Sequence, residues 1–574
     1  MKEMISISSQ IRRGAWMRFL TVFFAASAIA FLLSQINARV DLTGDKRYTL
    51  SPQTKTILSE LKNDVYLQVY LDGEMPVQFK KMRRSVREIL DEFRIRSHGR
   101  VGYDFINPSE GNDLKQRNDR QVELSNKGLA AINVQAGDDE GGTTTRVIFP
   151  GMIVNYNGIE VPVNFLKNNR ALSGEQNIAN SIEGLEYEII QTIATLAADT
   201  IYKIAFTEGH GEFDEYQVAD ITIALAKFFT VDRGIIGGRA GILDGYSAII
   251  VAGPTESFDE KDKFVIDQYI MNGGKVLWLA DMVYVNTDSL TMGETMAMYK
   301  PIGLGDQLFR YGARINPVLV QDIESMVIPM KVLGPTGETQ MISVKWPYYP
   351  LLVPSVSHPV TRNINRVKSE FVNSVDTVGL DPSIRKTILL STSPASRIST
   401  PPFIISLSEA GLPLQKFDFN RGTVPVAVLL EGAFQSVFRG RIIPGVNEGR
   451  SIRETGEPTR MIVVADGDII RNEVSYNSGS PVPQMLGLDR YTDQVYGNKD
   501  FIINCLNFLV DDNGLMELRS RELKLRLIDQ PMVRKNLLLI RIINILVPVL
   551  LVALAGVIYG VIRKRNYTIR LREK

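Results

Sequence analysis

The stretch YSAIIVAGPTESFDEKDKFVIDQYIMNGGKVLWLAD, residues 246–281, decides the fold class of this chain. Tyr246–Pro254 and Lys275–Asp281 are apolar runs of strand length, which is the pattern of strands buried on both faces of a parallel sheet. The segment between them has the length of a helix and ends at Gly273-Gly274, a usual helix stop. A strand–helix–strand unit of this kind joins parallel strands by a right-handed crossover. The sequence therefore predicts an α/β domain built on a parallel sheet.

Other segments extend this α/β unit in both directions. IYKIAFTEGHGE (201–212) predicts a strand that ends in a turn, and residues 216–229 predict the helix that follows it. VPVAVLLEG (424–432) and RMIVVADGD (460–468) predict two further strands, and NKDFIINCLNFLVDD (498–512) predicts a helix. We therefore expect one large unit of flavodoxin-like outline.

The unit in residues 246–281 resembles the sheets of class I glutamine amidotransferases, in which a strand, Gly-Pro, a helix ending in Gly-Gly and a second strand follow one another. In that superfamily a nucleophilic cysteine sits just after such a strand. Leu279, Ala280, Asp281 and Met282 occupy the corresponding place here, and none of them can form a thiolate. The resemblance therefore extends to the fold and not to the chemistry.

The N-terminal part predicts a smaller α/β domain. Ser51, which precedes a proline, is a predicted helix N-cap. Asp64–Leu71 and Arg100–Pro108 predict strands, and residues 76–97 between them predict a long amphipathic helix. This β-α-β order is thioredoxin-like in outline. Because Cys505 is the only cysteine of the chain, the CxxC motif and its thiol redox chemistry are excluded.

Composition excludes several classes of function. The chain has 574 residues and a formal net charge of +1, whereas a nucleic-acid surface needs a strong basic excess. One cysteine excludes a disulfide framework and a cysteine-based zinc site within one chain. Three histidines, far apart in sequence, argue against a histidine-rich metal site. The patterns GxxxxGK[ST], HExxH, G-x-S-x-G and GxGxxG are absent, so no ATPase, zincin, serine-hydrolase or dinucleotide-binding activity and no cofactor is predicted.

Two apolar segments predict transmembrane helices. Residues 16–36 and 540–562 each approach the ~20 apolar residues that cross a bilayer. Ile36-Asn37-Ala38 is a poor cleavage site, which favours an uncleaved anchor over a signal peptide. Basic residues on the outer flanks put both termini in the cytoplasm and the intervening chain in the periplasm. These flanking residues include Arg12, Arg13, Arg563, Lys564 and Arg565.

We therefore predict an α/β protein in which two transmembrane helices flank a periplasmic module of two α/β domains. Its larger domain is expected to contain an irregular insertion around residues 301–420. The predicted segments are a cytoplasmic N-terminus (1–15), transmembrane helix 1 (16–36), a thioredoxin-like domain with β-hairpins (40–170), a connecting helix (171–200), the larger parallel-sheet domain (201–512), an extended stalk (513–535), transmembrane helix 2 (540–562) and a cytoplasmic tail (563–574).

The turn FTEGHGE contains the first group of candidate contact residues, Glu208, His210 and Glu212. His210 could act as a base or a ligand oriented by either glutamate. Alternatively, the glycines provide positive φ for a turn and the acidic residues favour the start of the next helix. Because turns at the carboxyl ends of parallel strands often bind ligands, a contact with a ligand or partner also stays open.

The loop VADGDIIRNE contains the second group, Asp466, Asp468 and Asn472. Their oxygen atoms suit a hard cation, but the remaining ligands cannot be located in the sequence. The same residues also suit a strand-end turn that caps a helix. We therefore predict contact residues here and no metal site.

Small residues recur at four-residue spacing in both apolar segments. Gly556 and Gly560 form a GxxxG pattern in the second segment, and Ala26 and Ala30 have the same spacing in the first. Such pairs let membrane helices approach closely. They are candidate packing positions for a membrane partner.

Taken in order, several strings along the chain resemble the GldG family, the gliding-motility-associated auxiliary components of ABC transporters in Bacteroidota. FTEGHGE (206–212) and VADGDIIRN (464–472) are the most diagnostic strings. Further matching strings are RYTLSPQTKTIL (47–58), VYLDGEMP (69–76), FINP (105–108), NGGKVLWLAD (272–281) and VAVLLEGAFQSVFRGR (426–441).

The resemblance implies a non-enzymatic inner-membrane subunit. It would work with a multi-span permease of the GldF type and a separate ATPase of the GldA type, in gliding motility and, less directly, type IX secretion. It transfers no catalytic or ligand residue to this chain. Two other functions stay open from the residues alone: a membrane-anchored amidotransferase-like hydrolase, suggested by His210 and its carboxylates, and a periplasmic glycan-binding or sensor module, suggested by the loose segment after Pro301.

Overall fold

The computed structural model forms two compact units, residues 1–522 and 523–574. The residues that it describes are 16, 20–25, 27–28, 49–110, 113–137, 143–167, 173–198, 201–333, 338–379, 381–441, 452–476, 479–520 and 536–570.

The described helices are α1 (Pro52–Glu60), α2 (Val77–Arg96), α3 (Leu114–Asn126), α4 (Gly174–Ala197), α5 (Ala219–Leu225), α6 (Glu260–Met271), α7 (Thr287–Thr291), α8 (Gly305–Tyr311), α9 (Asn498–Val510) and α10 (Leu537–Arg570). Short 3-10 helices lie at Leu407–Gly411, Lys416–Asp418, Asp468–Ile470 and Leu515–Ser520. The described strands are β1 (Val65–Val69), β2 (Val101–Phe105), β3 (Ile132–Gly137), β4 (Thr143–Ile148), β5 (Gly151–Tyr156), β6 (Ile159–Asn164), β7 (Lys203–Glu208), β8 (Thr230–Ile235), β9 (Ala248–Ala252), β10 (Val276–Leu279), β11 (Val283–Tyr284), β12 (Glu294–Tyr299), β13 (Ala313–Asn316), β14 (Leu319–Asp322), β15 (Ser325–Leu333), β16 (Thr339–Pro354), β17 (Val367–Lys368), β18 (Ser374–Thr377), β19 (Arg385–Ser391), β20 (Ser396–Ser399), β21 (Phe403–Ser406), β22 (Pro425–Gln435), β23 (Thr455–Val464), β24 (Val474–Ser475), β25 (Val482–Pro483), β26 (Leu488–Asp489) and β27 (Gln494–Val495).

The first part of the chain forms a four-stranded sheet in the order β2-β1-β5-β6. β1 pairs in parallel with β2 and antiparallel with β5, which pairs antiparallel with β6. The predicted long helix is confirmed as α2, whose apolar face buries Val86, Leu90 and Phe93. Ser51 is the N-cap of α1 and accepts a hydrogen bond from the Thr54 amide, as the sequence predicted.

The second part is organised around a larger sheet in the order β15-β16-β19-β22-β23-β10-β9-β7-β8. The half from β8 to β23 is parallel. From β23 to β15 every pair along this order is antiparallel, so the prediction of a parallel sheet is wrong for that half. The reason is that, in the described part of the chain between β14 and β22, no α-helix forms a crossover that would return the chain for parallel pairing. The chain therefore has a mixed α/β fold with several sheets, which confirms the predicted α/β class.

Helix α4 packs against elements on both sides of it in the chain. Its N-terminus carries a capping box formed by Ser173 and Gln176. Glu186 accepts hydrogen bonds from the Ser51 amide and the Thr54 hydroxyl, at 2.8 and 2.7 Å. Further along the same helix, the hydroxyl of Tyr187 donates to the sulfur of Met516.

Two predicted segments differ in detail. The helix expected at residues 216–229 is confined to α5, because the Asp214 carboxylate accepts the amides of Tyr216 and Gln217 and forms a turn first. Residues 301–420, predicted as an irregular insertion, contain α8 and the strands from β13 to β21.

Helix α10 contains the second predicted membrane segment. Leu537–Ile562 has a mean hydropathy of 2.8 and is the one helix within the described residues that is long and apolar enough to cross a membrane. Gly556 and Gly560 lie on it, and beyond their chain neighbours and the backbone of the helix itself no described atom comes within 4 Å of the space that a Cβ would fill there. Ala26, Ala30 and most of the first predicted segment lie outside the described residues, so the two-pass arrangement stays a prediction.

Candidate functional site

Both groups of candidate residues lie at one edge of the large sheet. The turns after β7, β9, β10 and β23, which are neighbouring parallel strands, form what we call the carboxyl edge. Glu208 is the last residue of β7 and His210 and Glu212 follow it, while Asp466 and the residues after it follow β23. The predicted strand-end turns are therefore brought to the same side of the sheet, where α/β proteins usually bind ligands.

His210 is buried between two carboxylates. Its Nε2 lies 3.2 Å from Oδ2 of Asp262, and its Nδ1 lies 3.6 Å from Oε1 of Glu212, beyond hydrogen-bond distance. The ring stacks on Phe258 with a centroid separation of 3.7 Å. Asp262 lies in the first turn of α6, so no local sequence signal connected it with His210.

Backbone hydrogen bonds hold the His210 turn in place. The His210 amide donates to Oε2 of Glu212 at 2.7 Å. The His210 carbonyl accepts the amides of Thr255 and Glu256 at 2.9 and 2.8 Å. Gly211 has φ of +70°, and a Cβ there would lie 2.0 Å from the Thr255 hydroxyl oxygen. The turn therefore requires glycine at this position and is built into the loop after β9.

The environment of His210 favours its charged form. Burial alone lowers its pKa, but the hydrogen bond to Asp262 and the charge of Glu212 outweigh burial and raise the pKa to about 9. Burial tends to raise the pKa of both carboxylates, yet their interaction with His210 lowers the pKa of Glu212 and of Asp262. An imidazolium held by two carboxylates is an ion triad and a poor general base at neutral pH.

This triad predicts a loss of stability at alkaline pH. The folded-state pKa of about 9 lies above the ordinary histidine pKa of 6.5, so the stabilisation is complete below pH 6.5 and is lost as the pH rises through 9. The full shift corresponds to about 3 kcal/mol. Urea unfolding of the wild type and of His210→Gln at several pH values measures it. The variant, which cannot titrate there, should show the flatter curve, and equal slopes would contradict the assignment.

Glu208 does not orient His210. Its carboxylate pairs with Arg233 at 2.8 Å, and Arg233 also donates to the Phe213 carbonyl at 2.8 Å. Of the two glutamates predicted to orient the histidine, the structure brings only Glu212 next to the ring.

A second cluster of charges occupies the β10 and β23 end of the carboxyl edge. We call its carboxylates, Asp281, Glu370, Asp466 and Asp468, the acidic cluster. Arg471 lies 2.9 Å from Asp468 and 3.0 Å from Glu370. The Gly467 amide is 3.2 Å from both oxygens of Asp281, and a Cβ on Gly467 would lie 2.8 Å from Asp281. The acidic cluster is therefore closely packed, and the sequence did not reveal that Asp281 and Glu370 belong to it or that Arg471 pairs with it.

Burial changes the protonation of the acidic cluster. Asp466 is fully buried, and burial together with the charges of Asp281 and Asp468 raises its pKa well above the usual range. Burial raises the pKa of Asp468 to about 7, although Arg471 opposes the shift. Asp466 accepts the amides of Asp468 and Glu370, at 2.7 and 3.1 Å. The Asp466 carboxylate therefore stabilises the loop after β23 through these hydrogen bonds.

Asn472 points away from the acidic cluster. Its side-chain amide donates to the Tyr216 carbonyl at 2.9 Å, and its side-chain oxygen accepts the Asp220 amide at 3.2 Å. Asn472 therefore connects the loop after β23 to the segment after β7. In the described part of the chain, no three His, Cys, Asp or Glu residues are grouped so that they could hold a metal ion.

The comparisons with known proteins define the class. Residues 202–505, which cover the parallel half of the sheet and much of the rest of the second part, match the family described as "ABC-type uncharacterized transport system", and the chain belongs to this family. It is an auxiliary protein of an ABC transport system. Residues 44–155 match a domain of unknown function, DUF7088.

Two other comparisons add no functional assignment. No curated protein matches the chain. Among solved structures, one titled "mmIFT52 N-terminal domain" is 14% identical, with coverage of 54% of this chain and 97% of that one. Its TM-score of 0.30 is too low to establish a shared fold.

Proposed function

We propose that the protein is a GldG-type accessory subunit that works with a GldF-type permease and a GldA-type ATPase. The observation that carries the proposal is the family match over residues 202–505, which places the chain in an ABC transport system. The sequence has no GxxxxGK[ST] motif, so ATP hydrolysis would be supplied by a separate subunit. A role in gliding motility and type IX secretion in Bacteroidota rests on the family resemblance of strings such as FTEGHGE.

We further propose a two-pass inner-membrane protein with both termini in the cytoplasm and residues 40–535 in the periplasm. The apolar helix Leu537–Ile562 supports a membrane anchor. The order β2-β1-β5-β6 supports a thioredoxin-like domain over residues 40–170, and the parallel half of the larger sheet supports an amidotransferase-like core within residues 201–512. In this arrangement the module is fixed to the membrane at both ends and is suited to exchanging movement with the permease.

Contacts with partners would involve two surfaces. Gly556 and Gly560 leave space on α10 for a permease helix to approach closely. At the carboxyl edge, Glu208 is the candidate with most exposure: its side chain is 39% exposed, whereas those of His210 and Glu212 are 7% and 2% exposed. A periplasmic partner would therefore meet Glu208 before the buried histidine.

Co-purification in mild detergent tests the assignment. The tagged wild-type protein should co-purify with the permease and the ATPase in a fixed ratio. It is extracted for this purpose from cells that contain both subunits. Gly556→Leu/Gly560→Leu should reduce recovery of the permease, while Ile558→Leu, on the same helix, should not. A wild-type protein that isolates alone under these conditions would refute the proposed function.

A further inference from the structure

A surface cleft of about 1050 Å³ is lined by no residue of the His210 triad or the acidic cluster, although Met282 in its lining follows Asp281 in the chain. Helix α8 and strand β13 supply part of its lining, and residues 378–379, 381–386 and 435–439 supply most of the rest. The volume is at the upper end of the range for ligand sites. We call it the α8–β13 cleft, and no motif in the sequence indicated it.

The cleft has a rigid base. The buried carboxylate of Asp267 accepts hydrogen bonds from the Tyr311 hydroxyl at 2.8 Å, the Ser436 hydroxyl at 2.6 Å and the Val437 amide at 3.0 Å. Tyr311 ends α8, whereas Ser436 and Val437 belong to the segment after β22 that also lines the cleft. Because one buried side chain connects these two parts of the lining, the cleft is pre-formed and a ligand would bind with little reorganisation.

Aromatic rings are exposed on the cleft wall. Helix α8 buries Leu308 and Tyr311 against the core. Phe309 therefore faces outward and is 54% exposed, and Tyr299, which also lines the cleft, is 59% exposed. These exposed rings offer flat apolar faces on which a ligand could stack. Within the described chain, no other aromatic ring stacks on them.

Arg310, Arg314 and Lys386 of the cleft lack carboxylate partners among the described residues, whereas the fourth cation, Arg439, pairs with Glu454 at 3.2 Å. Arg314 is exposed and forms no hydrogen bond or ion pair with a described residue, and Arg310 reaches only the neutral side chain of Gln435, at 2.8 Å. Lys386 donates to the carbonyls of residues 378 and 379, at 2.6 and 2.7 Å. Positive charge is therefore available to a ligand.

The two acidic residues of the lining are already engaged. Asp306 lies 2.9 Å from Lys263, and Asp381 accepts the Ser383 hydroxyl at 2.6 Å. Each carboxylate retains lone pairs that can accept a hydroxyl donor. They also repel ligands that carry dense negative charge, such as nucleoside polyphosphates.

We propose that the α8–β13 cleft binds an acidic oligosaccharide, that is, a chain of sugars bearing carboxylates. The guanidinium groups of Arg310 and Arg314 match a carboxylate in geometry and charge. Phe309 and Tyr299 suit the apolar faces of pyranose rings, while Asp306 and Asp381 suit sugar hydroxyls. This ligand site is independent of the transporter role.

Titration calorimetry with full-length protein in detergent micelles tests this site. The probe is tetragalacturonic acid, and the comparison ligands are neutral cellotetraose and a tetraglutamate peptide. We expect the acidic sugar to bind the wild type more tightly than either comparison ligand. Arg314→Gln and Phe309→Ala should each weaken that binding, Arg314→Gln by about tenfold or more. Both residues are exposed, so the variants should keep the wild-type unfolding midpoint.

Arg84→Ala serves as the matched control, because it removes an 80% exposed arginine from α2, outside the cleft lining. Its affinity for the acidic sugar should equal that of the wild type. Absence of tetragalacturonic acid binding, or equal binding by Arg314→Gln, would overturn the proposal. Equal or tighter binding of cellotetraose or of the glutamate peptide would overturn the ligand class. None of these outcomes bears on co-purification with a permease.

Discussion

His210→Ala is expected to lower the free energy of unfolding by about 3–5 kcal/mol, the usual effect of removing one member of a buried ion pair. The variant would leave the carboxylates of Asp262 and Glu212, which are 8% and 2% exposed, without their shared cation. It would also leave a cavity beside Phe258, on which the ring stacks. Urea unfolding of the detergent-solubilised chain, followed through the fluorescence of buried tryptophans such as Trp278, measures the change.

Glu208→Ala is the matched control for His210→Ala. It removes a charge from the same turn, but its pair with Arg233 is partly exposed and should contribute less than about 1 kcal/mol. A His210→Ala protein with wild-type stability would refute the ion triad. If such a protein were also inactive, a catalytic role for His210 would be favoured instead of a structural one.

Arg471→Ala is the second large effect, with an expected loss of about 3 kcal/mol. Arg471 neutralises both Asp468 and Glu370, and its guanidinium carbon lies 5.6 Å from the ring centroid of Phe213. Without it, these carboxylates would face Asp466 with no compensating charge from this side chain. The variant should therefore regain stability as the pH falls and its carboxylates become protonated.

A double variant separates charge from packing at Arg471. Asp468→Asn should recover part of the loss in the Arg471→Ala background, because it removes one unpaired charge. Arg490→Ala is the control, because Arg490 is 66% exposed where it contacts Glu473. This variant should change the free energy of unfolding by less than about 1 kcal/mol. If Arg490→Ala and Arg471→Ala lowered the free energy of unfolding equally, the ion pairs of Arg471 with the acidic cluster would not be needed for stability.

Local patterns in the sequence predicted the elements with a strong local cause. Burial on both faces makes β9 and β10 continuous apolar runs, while an N-cap serine marks the start of α1 and Gly273-Gly274 marks the end of α6. The antiparallel half of the sheet escaped prediction, because strand direction depends on how the intervening chain returns and not on the composition of each strand. The α5 boundary was missed because the Asp214 turn competes with the helix for the same amides.

The sequence by itself determined the long apolar helix near its C-terminal end, the strand-end turns and the lack of a CxxC pair and of a GxxxxGK[ST] motif, since each of these depends on residue type and spacing over a short range. Only the tertiary structure decided which side chains pair with those of the turns. It placed Asp262 from α6 against His210, and Arg471 against Glu370 from another part of the chain. It likewise enclosed the α8–β13 cleft between segments more than 100 residues apart, joined through Asp267. Pairing and protonation depend on distances between such segments, which only the folded chain establishes.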